Sequence, residues 1–124
     1  MVLDASALIT RLWGKDIGIA EADVIAPDLI VAESTNVVWK LERAHKPAPD
    51  VSLLLAILDM MRIVPSRPYA ERAHQIAKAL DHSVYDALYI AVAEAENATL
   101  LTADQRLSRK IAKTQFQHLV RTVP

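Results

Sequence analysis

Short apolar runs alternate with longer helical patterns along the chain, and this alternation restricts the possible fold more than any other feature. The runs with the length and composition of brief strands are Met1–Asp4, Val24–Ala26, Arg62–Val64, Thr99–Thr102 and Leu119–Val123. Parallel strands need a long crossover between them, and helices supply it here. The pattern therefore predicts an α/β fold with a parallel, helix-covered sheet.

Helical patterns fill the gaps between these runs. The predicted helices are Ala5–Trp13, Pro27 or Asp28 to Arg43, Pro49-Asp50 to Met61, Pro68–Leu80, Asp81 or Ser83 to Glu96, and Asp104–Lys113. Aspartate, serine and proline are common where helices begin, because they cap or tolerate the unpaired N–H groups of the first turn. Right-handed crossovers then place the ends of the strands along a common rim.

Four acids lie in segments that are otherwise apolar. Asp4 closes the run MVLD, Glu33 lies in LIVAEST, Asp86 in VYDALYIAVA and Asp104 in TLLTADQRL. An ionised acid in an apolar environment is costly unless it is paired, neutralised or bound to a metal. The net charge of the chain is -1, so no large surplus of positive charge is available to neutralise these acids.

The four acids are expected to meet at one edge of the sheet. Asp4 and Asp104 each follow a strand directly, and ligands of open α/β sheets bind at the carboxyl ends of the strands. Glu33 shares a helix face with apolar residues three and four positions away, so we expect it to face inward. Asp86 lies in the first turn of a helix that is apolar on every side, which is typical of a buried element.

Taken alone, each acid has a simpler explanation. Asp4 and Asp104 could be helix N-caps, Glu33 could pair with Lys40 or Arg43, and Asp86 could bond its own helix N-terminus. Taken together, the four acids would repel one another. Two carboxylates about 4 Å apart repel by about 4 kcal/mol at an effective dielectric constant near 20. A bound divalent cation removes this conflict.

An all-oxygen ligand set favours Mg²⁺ or Mn²⁺. Zinc is disfavoured because the chain has no cysteine and its histidines show no ligand spacing beside the acids. We interpret the histidines as surface or packing residues; they are His45, His74, His82 and His118. Ser6, Asn36 and Thr102 recur beside the acids, where they could orient carboxylates or serve only in turns and caps.

Composition limits the class of protein. With 124 residues, no linker and no repeat, the chain is predicted to form a single domain over residues 1–124. The absence of cysteine, of a secretory signal and of an apolar stretch long enough to span a bilayer leads us to expect a cytoplasmic protein without membrane contact. A pI of 6.4 argues against broad binding of nucleic acid by charge alone.

Two local basic clusters are present. One is Lys40, Arg43, His45 and Lys46, and the other is Arg106, Arg109, Lys110 and Lys113. Each is explained as a solvated face with favourable charge at a helix C-terminus, and the alternative is a role in steering a polyanion. Apolar residues beyond the needs of one small core also predict a homodimer; they are Trp13, Trp39, Leu53, Leu54, Leu55, Ile57 and Leu58. Core packing explains these apolar residues almost equally well.

These motifs resemble those of the PIN-domain ribonucleases, in particular the VapC toxins of bacterial and archaeal toxin–antitoxin pairs. VLDASAL is similar to the family's first acidic motif, APDLIVAESTNVVWK to the second, and YDALYIAVAEAENATLLTAD to the third and fourth run together. The matching acids are Asp4, Glu33, Asp86 and Asp104, and the matching polar neighbours are Ser6, Asn36 and Thr102. The likeness covers nearly the whole chain. The stretch 13–23 departs from it, because many relatives carry a fuller helix there.

The resemblance implies a metal-dependent endoribonuclease with a three-layer α/β/α, PIN-like fold that hydrolyses RNA phosphodiester bonds. In this function Asp4, Asp86 and Asp104 would hold Mg²⁺ or Mn²⁺, and Glu33 would bind metal or orient the attacking water. The implied partners are RNA, a second copy of the chain and a small VapB-type antitoxin whose C-terminal segment lies across the active groove.

Four other functions are alternatives to this one. A PIN-domain RNA-processing nuclease outside a toxin–antitoxin pair would have the same acids, so the acids do not distinguish it from a toxin. A receiver-type signalling domain needs adjacent acids after the first strand, a phosphoacceptor Asp after the third and a Lys near the fifth, and the chain lacks them. A haloacid-dehalogenase-like phosphatase would need Asp in place of Ser6. A non-catalytic RNA-binding protein of the same fold does not explain why all four acids are present.

Overall fold

Five short strands form an entirely parallel sheet in the computed structural model, which describes residues 1–18 and 20–123. The strands are β1 (Val2–Leu3), β2 (Ile25–Pro27), β3 (Arg62–Val64), β4 (Leu100–Thr102) and β5 (Val120–Thr122). Their order across the sheet is β3-β2-β1-β4-β5. The five strands predicted from the apolar runs are confirmed, and the sheet is parallel throughout.

Six helices connect or follow these strands, as the sequence predicts. They are α1 (Ala5–Leu12), α2 (Leu29–Arg43), α3 (Val51–Asp59), α4 (Ala70–Leu80), α5 (Val84–Ala95) and α6 (Gln105–Ile111). Capping explains several of the starts. Asp50 begins α3 by accepting hydrogen bonds from the main-chain N–H groups of Ser52 (2.7 Å) and Leu53 (3.3 Å). The predicted start of α4 at Pro68 is instead a short 3-10 helix, Arg67–Tyr69.

The helices cover both faces of the sheet. Along the chain α1 contacts α2 and α2 contacts α3, whereas α4 packs mainly on α5. The chain moves from β1 through β2 to β3 in one direction and then passes back across β1 to β4 and β5. Crossovers of the same hand that run in opposite directions leave their helices on opposite faces. The result is the predicted three-layer α/β/α arrangement.

The reversal of strand order lies between β1 and β4, which pair directly through Val2 with Leu100 and Leu3 with Leu101. At such a point the connections leave the sheet toward opposite faces, which opens a crevice beyond the carboxyl ends of the two strands. Asp4 follows β1, and Ala103 and Asp104 follow β4. The fold therefore brings these two acids to the crevice by main-chain geometry alone.

Two strongly apolar helices differ in how they are buried. Seven consecutive residues of α5, from 87 to 93, are buried where the helix contacts β1, β2 and β4. Helix α3 buries only Leu54 and Leu58, while Leu53 and Leu55 are exposed. Among the described residues no helix is both long and apolar enough to cross a bilayer.

The segment between α1 and β2 contains only one short 3-10 helix, Glu21–Asp23, in its described part. Gly14 and Gly18 both have positive φ, at 85° and 76°, a conformation that residues with a side chain rarely adopt. The described part of stretch 13–23 therefore turns at two glycines and contains no α-helix. The expectation about this stretch includes Ile19, which lies outside the described residues.

Candidate active site

Asp4 is the most enclosed of the four acids, with a relative exposure of 5%. It is the N-cap of α1, and its Oδ1 accepts hydrogen bonds from the main-chain N–H of Ala7 (2.9 Å) and the hydroxyl of Ser6 (2.6 Å). Its Oδ2 accepts a hydrogen bond from the hydroxyl of Thr102. All three donors are neutral, so they fix the position of the carboxylate without cancelling its charge.

Burial raises the pKa of Asp4 from its ordinary value of 3.8 to about 6. The three hydrogen bonds act in the opposite direction because they stabilise the ionised form, while the negative charge of Asp86 raises the pKa further. The carboxylate of Asp4 is thus ionised at neutral pH in an environment that disfavours its charge. A cation in the crevice would relieve that cost.

Hydrogen bonds tie the ends of β1 and β4 together around Asp4. The hydroxyl of Ser6 accepts a hydrogen bond from the main-chain N–H of Ala103 (2.9 Å). The hydroxyl of Thr102 accepts one from the main-chain N–H of Asp104 (3.0 Å). Asp104 in turn caps α6 by accepting from the main-chain N–H groups of Arg106 (2.9 Å) and Leu107 (3.3 Å). The N-cap explanation for both strand-end acids is correct, and it is compatible with a place in the site.

Glu33 reaches the crevice from α2. Its side chain is half-buried, and the phenolic hydroxyl of Tyr89 donates a hydrogen bond of 2.6 Å to its Oε1. Burial raises the pKa of Glu33, and the nearby charge of Asp86 raises it as well, while the bond from Tyr89 lowers it. Burial and the Glu33 carboxylate raise the pKa of Tyr89, so the phenol remains a neutral donor.

Asp86 enters the crevice from the first turn of α5. Ser83 caps this helix by accepting from the main-chain N–H of Asp86 (3.2 Å). The Asp86 carboxylate lies 2.5 Å from Nε2 of His82, one turn before it in the chain. His82, interpreted from the sequence as a surface or packing residue, is partly buried, and its ring bonds a candidate site acid.

The four acids line one cavity of about 380 Å³. Its other walls include Ser6, Tyr89 and an apolar side formed by Ile9, Val37 and Trp13. Four carboxylates contributed by separate segments are an oxygen-only donor set that suits a hard divalent cation. In the described part of the chain, however, no three His, Cys, Asp or Glu side chains already converge as a metal-binding group. The acids share a cavity, and their chemistry fits Mg²⁺ or Mn²⁺, but their oxygens are not drawn together.

The polar neighbours predicted from the sequence have different positions. Ser6 and Thr102 both bond Asp4, whereas Asn36 is exposed and does not line the cavity. A helix turns by about 100° per residue, so the side chain of Asn36, three positions after Glu33, is rotated about the helix axis away from that of Glu33. Val37, four positions after Glu33, lines the cavity instead.

Sequence reasoning did not single out Tyr89 and His82. Tyr89 lies three residues after Asp86 on the same face of α5, and His82 lies four residues before it, ahead of the N-cap Ser83. This spacing was the available signal for His82, although its ring lies just before the helix begins. Tyr89 reaches Glu33 because of where the fold places α5 relative to α2. No short stretch of sequence indicates that placement.

Comparisons with known proteins agree with this geometry. The family model described as PIN domain matches residues 1–113. The crystal structure of PAE2754 from Pyrobaculum aerophilum is similar over 98% of this chain and 82% of that chain, with a TM-score of 0.75 and 25% sequence identity. A toxin–antitoxin complex from Klebsiella pneumoniae contains a chain of similar fold, with a TM-score of 0.66, 16% identity and coverage of 99% of this chain and 97% of that one. No curated protein sequence matches the chain.

Proposed function

Because the chain belongs to the PIN-domain family, whose members are generally nucleases, we propose that it is a metal-dependent endoribonuclease that hydrolyses RNA phosphodiester bonds. One observation carries this proposal. The four acids of the family-like motifs, contributed by four separate segments, line a single cavity at the point where the strand order reverses. Helix capping accounts for Asp4 and Asp104 but not for Glu33, which lies inside α2 and still lines the same cavity.

We assign Asp4, Asp86 and Asp104 to hold Mg²⁺ or Mn²⁺. When bound, the cation would lower the pKa of a water molecule and neutralise charge on the phosphate and the leaving oxygen. None of the ion pairs within the described residues joins a lysine or arginine to any of these three acids. Their carboxylates therefore remain available to a cation, apart from the bond between Asp86 and His82.

The chain's own residues prepare this reaction in different ways. Asp4 is held by three neutral donors, so its oxygens need little rearrangement. We assign Glu33 to orient the attacking water and to accept its proton, because burial raises the pKa of this acid toward the range of a general base. Tyr89 holds the Glu33 carboxylate in place through its hydroxyl. No covalent intermediate is required.

We further propose that the nuclease is the toxin of a VapBC-type pair, working in the cytoplasm and inhibited by a small VapB-type antitoxin. The support is the likeness of the motifs to VapC toxins and the presence of this fold in a toxin–antitoxin complex from Klebsiella pneumoniae. Co-expression tests this proposal. Growth arrest by the chain alone, relieved by a small neighbouring reading frame, is expected; a chain that binds no such product would act as an RNA-processing nuclease instead.

A homodimer is also proposed. Of the apolar residues that predict it, Leu54 and Leu58 belong to the core, which reduces the set available for an interface. Trp39, Leu53 and Leu55 remain exposed on α2 and α3, which contact each other. This patch is a candidate interface between two copies. Light scattering should give twice the chain mass of 13.7 kDa, and a mass of one chain would exclude the dimer.

The substitution Asp86→Asn tests the nuclease proposal. The amide keeps the shape of the side chain but removes its charge, so RNA cleavage with Mg²⁺ or Mn²⁺ should be lost while thermal unfolding remains cooperative. Asp59→Asn is the matched control, because Asp59 is an exposed acid at the end of α3 that does not line the cavity. Cleavage at the wild-type rate by the Asp86 variant would remove this acid from the mechanism. Equal cleavage with and without a chelator would contradict the metal requirement.

A further inference from the structure

A second cleft lies next to the acid cavity and has the opposite charge on one wall. It has a volume of about 510 Å³ and shares Asp86 and Asp104 with the acid cavity. Its lining also includes Asp81, His82 and Ser83, together with Arg106 and Lys110 of α6. The two spaces meet at Asp86 and Asp104. We call the route from one space to the other past these two acids the path.

The basic side chains of this cleft are available to a ligand. Arg106, Arg109 and Lys110 are exposed, and none of them forms an ion pair within the part of the chain that the structure describes. Arg109 and Lys110 also bound a neighbouring hollow with Arg106 and His82. Arg106, Arg109 and Lys110 thus form a cluster of exposed cations beside the site acids, and such a cluster attracts an anionic ligand.

The opposite end of the path is apolar. Trp13 lies on the wall of the acid cavity beside Ile9 and Val37, and 55% of its surface is exposed. A large aromatic ring that remains accessible beside a polar site offers a stacking surface, and nucleobases stack on such rings irrespective of sequence. From one end to the other, the path runs from an aromatic ring through the four acids to a basic wall.

We propose that single-stranded nucleic acid crosses the site along this path, with a base stacked on Trp13 and the phosphates beyond the cleaved bond held by Arg106 and Lys110. This inference rests on the proposed nuclease function and adds the direction and the contacts of its substrate. The order of the surfaces matches a polynucleotide, in which flat apolar bases alternate with phosphates. An acidic peptide would fit the basic wall but would leave the stacking surface without a purpose. A base within a duplex is already stacked on its neighbours, so the strand must be single.

Binding of a short fluorescent oligouridine, measured by anisotropy at several salt concentrations, tests the path. Arg106→Gln combined with Lys110→Gln should weaken binding about tenfold and reduce the slope of log affinity against log salt by about 1.4, since each phosphate contact to a single strand contributes about 0.7. The matched control is Arg43→Gln with Lys46→Gln. This pair of substitutions also removes two positive charges. Arg43 ends α2, about 15 Å along the helix from Glu33, so the variant should leave the slope of log affinity against log salt nearly unchanged.

Trp13→Ala tests the aromatic end and should weaken oligouridine binding about tenfold without changing the salt slope. Trp39→Ala is its control for the loss of an exposed indole, because Trp39 has nearly the same exposure, 56%, and does not line the cavity. Since Trp39 also lies in the candidate dimer patch, both variants are compared with the wild-type chain at a concentration where all three have the same measured mass. Binding is measured with wild-type chain in chelator and repeated with Mg²⁺ in the Asp86→Asn background, where the oligonucleotide should survive. The size of every variant is checked, so that a change in oligomeric state is not mistaken for a lost contact.

The outcomes separate this inference from the nuclease proposal. If the wild-type chain cleaves RNA but both test variants bind oligouridine like their controls, the path is wrong and the nuclease stands. If binding depends on these residues but wild-type chain cleaves no RNA with Mg²⁺ or Mn²⁺, the nuclease proposal fails and the path stands. Unchanged RNA binding together with a selective loss of polyglutamate binding would assign the basic wall to an acidic protein segment and overturn the path.

Discussion

The two acids that follow strands and the two acids carried by helices are held in different ways. Asp4 and Asp104 each accept hydrogen bonds from main-chain N–H groups of the helix that follows them, and Thr102 links the two strand ends. Glu33 and Asp86 are each held by one side chain, Tyr89 and His82 respectively. Acidic side chains are thus held with the help of the main chain in one half of the site and by single side-chain contacts in the other. We call Asp4 and Asp104 the strand-borne half of the site, and Glu33 and Asp86 the helix-borne half.

This difference separates what the fold determines from what the side chains adjust. A capping carboxylate that moves loses its hydrogen bonds to the first turn of its helix, at a cost of about 1 kcal/mol, so Asp4 and Asp104 are held to the sheet rim. A carboxylate held by one side chain can exchange that partner for a ligand at little cost. We therefore expect substitutions in the strand-borne half to change stability most, and substitutions in the helix-borne half to change mainly the chemistry.

The largest expected change in stability comes from Asp4→Asn. The pKa of Asp4 in the folded chain, about 6, lies above its ordinary value of 3.8, so the folded state binds this proton more tightly than the unfolded state does. The resulting stabilisation is complete below about pH 3.8 and is lost as the pH rises through about 6. The loss is on the order of 3 kcal/mol.

Asparagine cannot ionise, so the free energy of unfolding of the variant should lack this decline with pH. Its free energy of unfolding in urea, measured at several pH values, checks this prediction. A divalent cation should raise the melting temperature of the wild-type chain and have little effect on the variant. A pH dependence identical to that of the wild-type chain would show that Asp4 is not the buried, charged group described above.

A smaller change is expected for Thr102→Val, which tests the link between the two strand ends. The substitution leaves Oδ2 of Asp4 and the main-chain N–H of Asp104 each without a hydrogen-bond donor or acceptor, while Oδ1 of Asp4 keeps its bonds from Ser6 and Ala7, and we expect a cost of about 2 kcal/mol. The control is Thr122→Val at the end of β5, where the threonine hydroxyl bonds only Ser108 (2.6 Å) and about 1 kcal/mol is expected. Equal losses in urea unfolding would mean that the strand-borne half is no more tightly fixed than the rest of the sheet.

The strand-borne half was also the more predictable from sequence. An acid directly after a short apolar run is a local signal, and parallel strands bring such acids to one rim whatever the remaining packing. Ser6 and Thr102 could be named for the same reason, because each is next to or near its acid in the chain. Local spacing and strand direction were enough to place these residues.

The helix-borne half required information that the sequence does not show locally. The contact between Tyr89 and Glu33 joins residues far apart in the chain, and it depends on the packing of α5 near α2. The sequence does not show whether Asn36 or Val37 faces the cavity, because spacing of three and spacing of four both keep a residue near Glu33, and only packing selects between them. In the same way, the apolar composition of α3 gave no indication that Leu53 and Leu55 would remain exposed.

The smallest expected change is that of Tyr89→Phe, which should affect the chemistry more than the stability. Loss of one hydroxyl hydrogen bond costs about 1 kcal/mol. Because that bond lowers the pKa of Glu33, its removal should raise this pKa further above the ordinary value. Glu33 must be ionised to accept a proton from water, so the rise of RNA cleavage with pH should move to higher pH in the variant.

The control for this substitution is Tyr69→Phe, whose hydroxyl donates a longer bond of 3.4 Å to Glu96 outside the cavity. It should leave the pH profile of cleavage unchanged. If the Tyr89 variant has the profile of the wild-type chain, then either Glu33 is not the proton acceptor or its ionisation does not limit the rate. In that case the helix-borne half would serve only to hold the cation. The strand-borne and helix-borne halves would then differ in how they are held but not in the chemistry they perform.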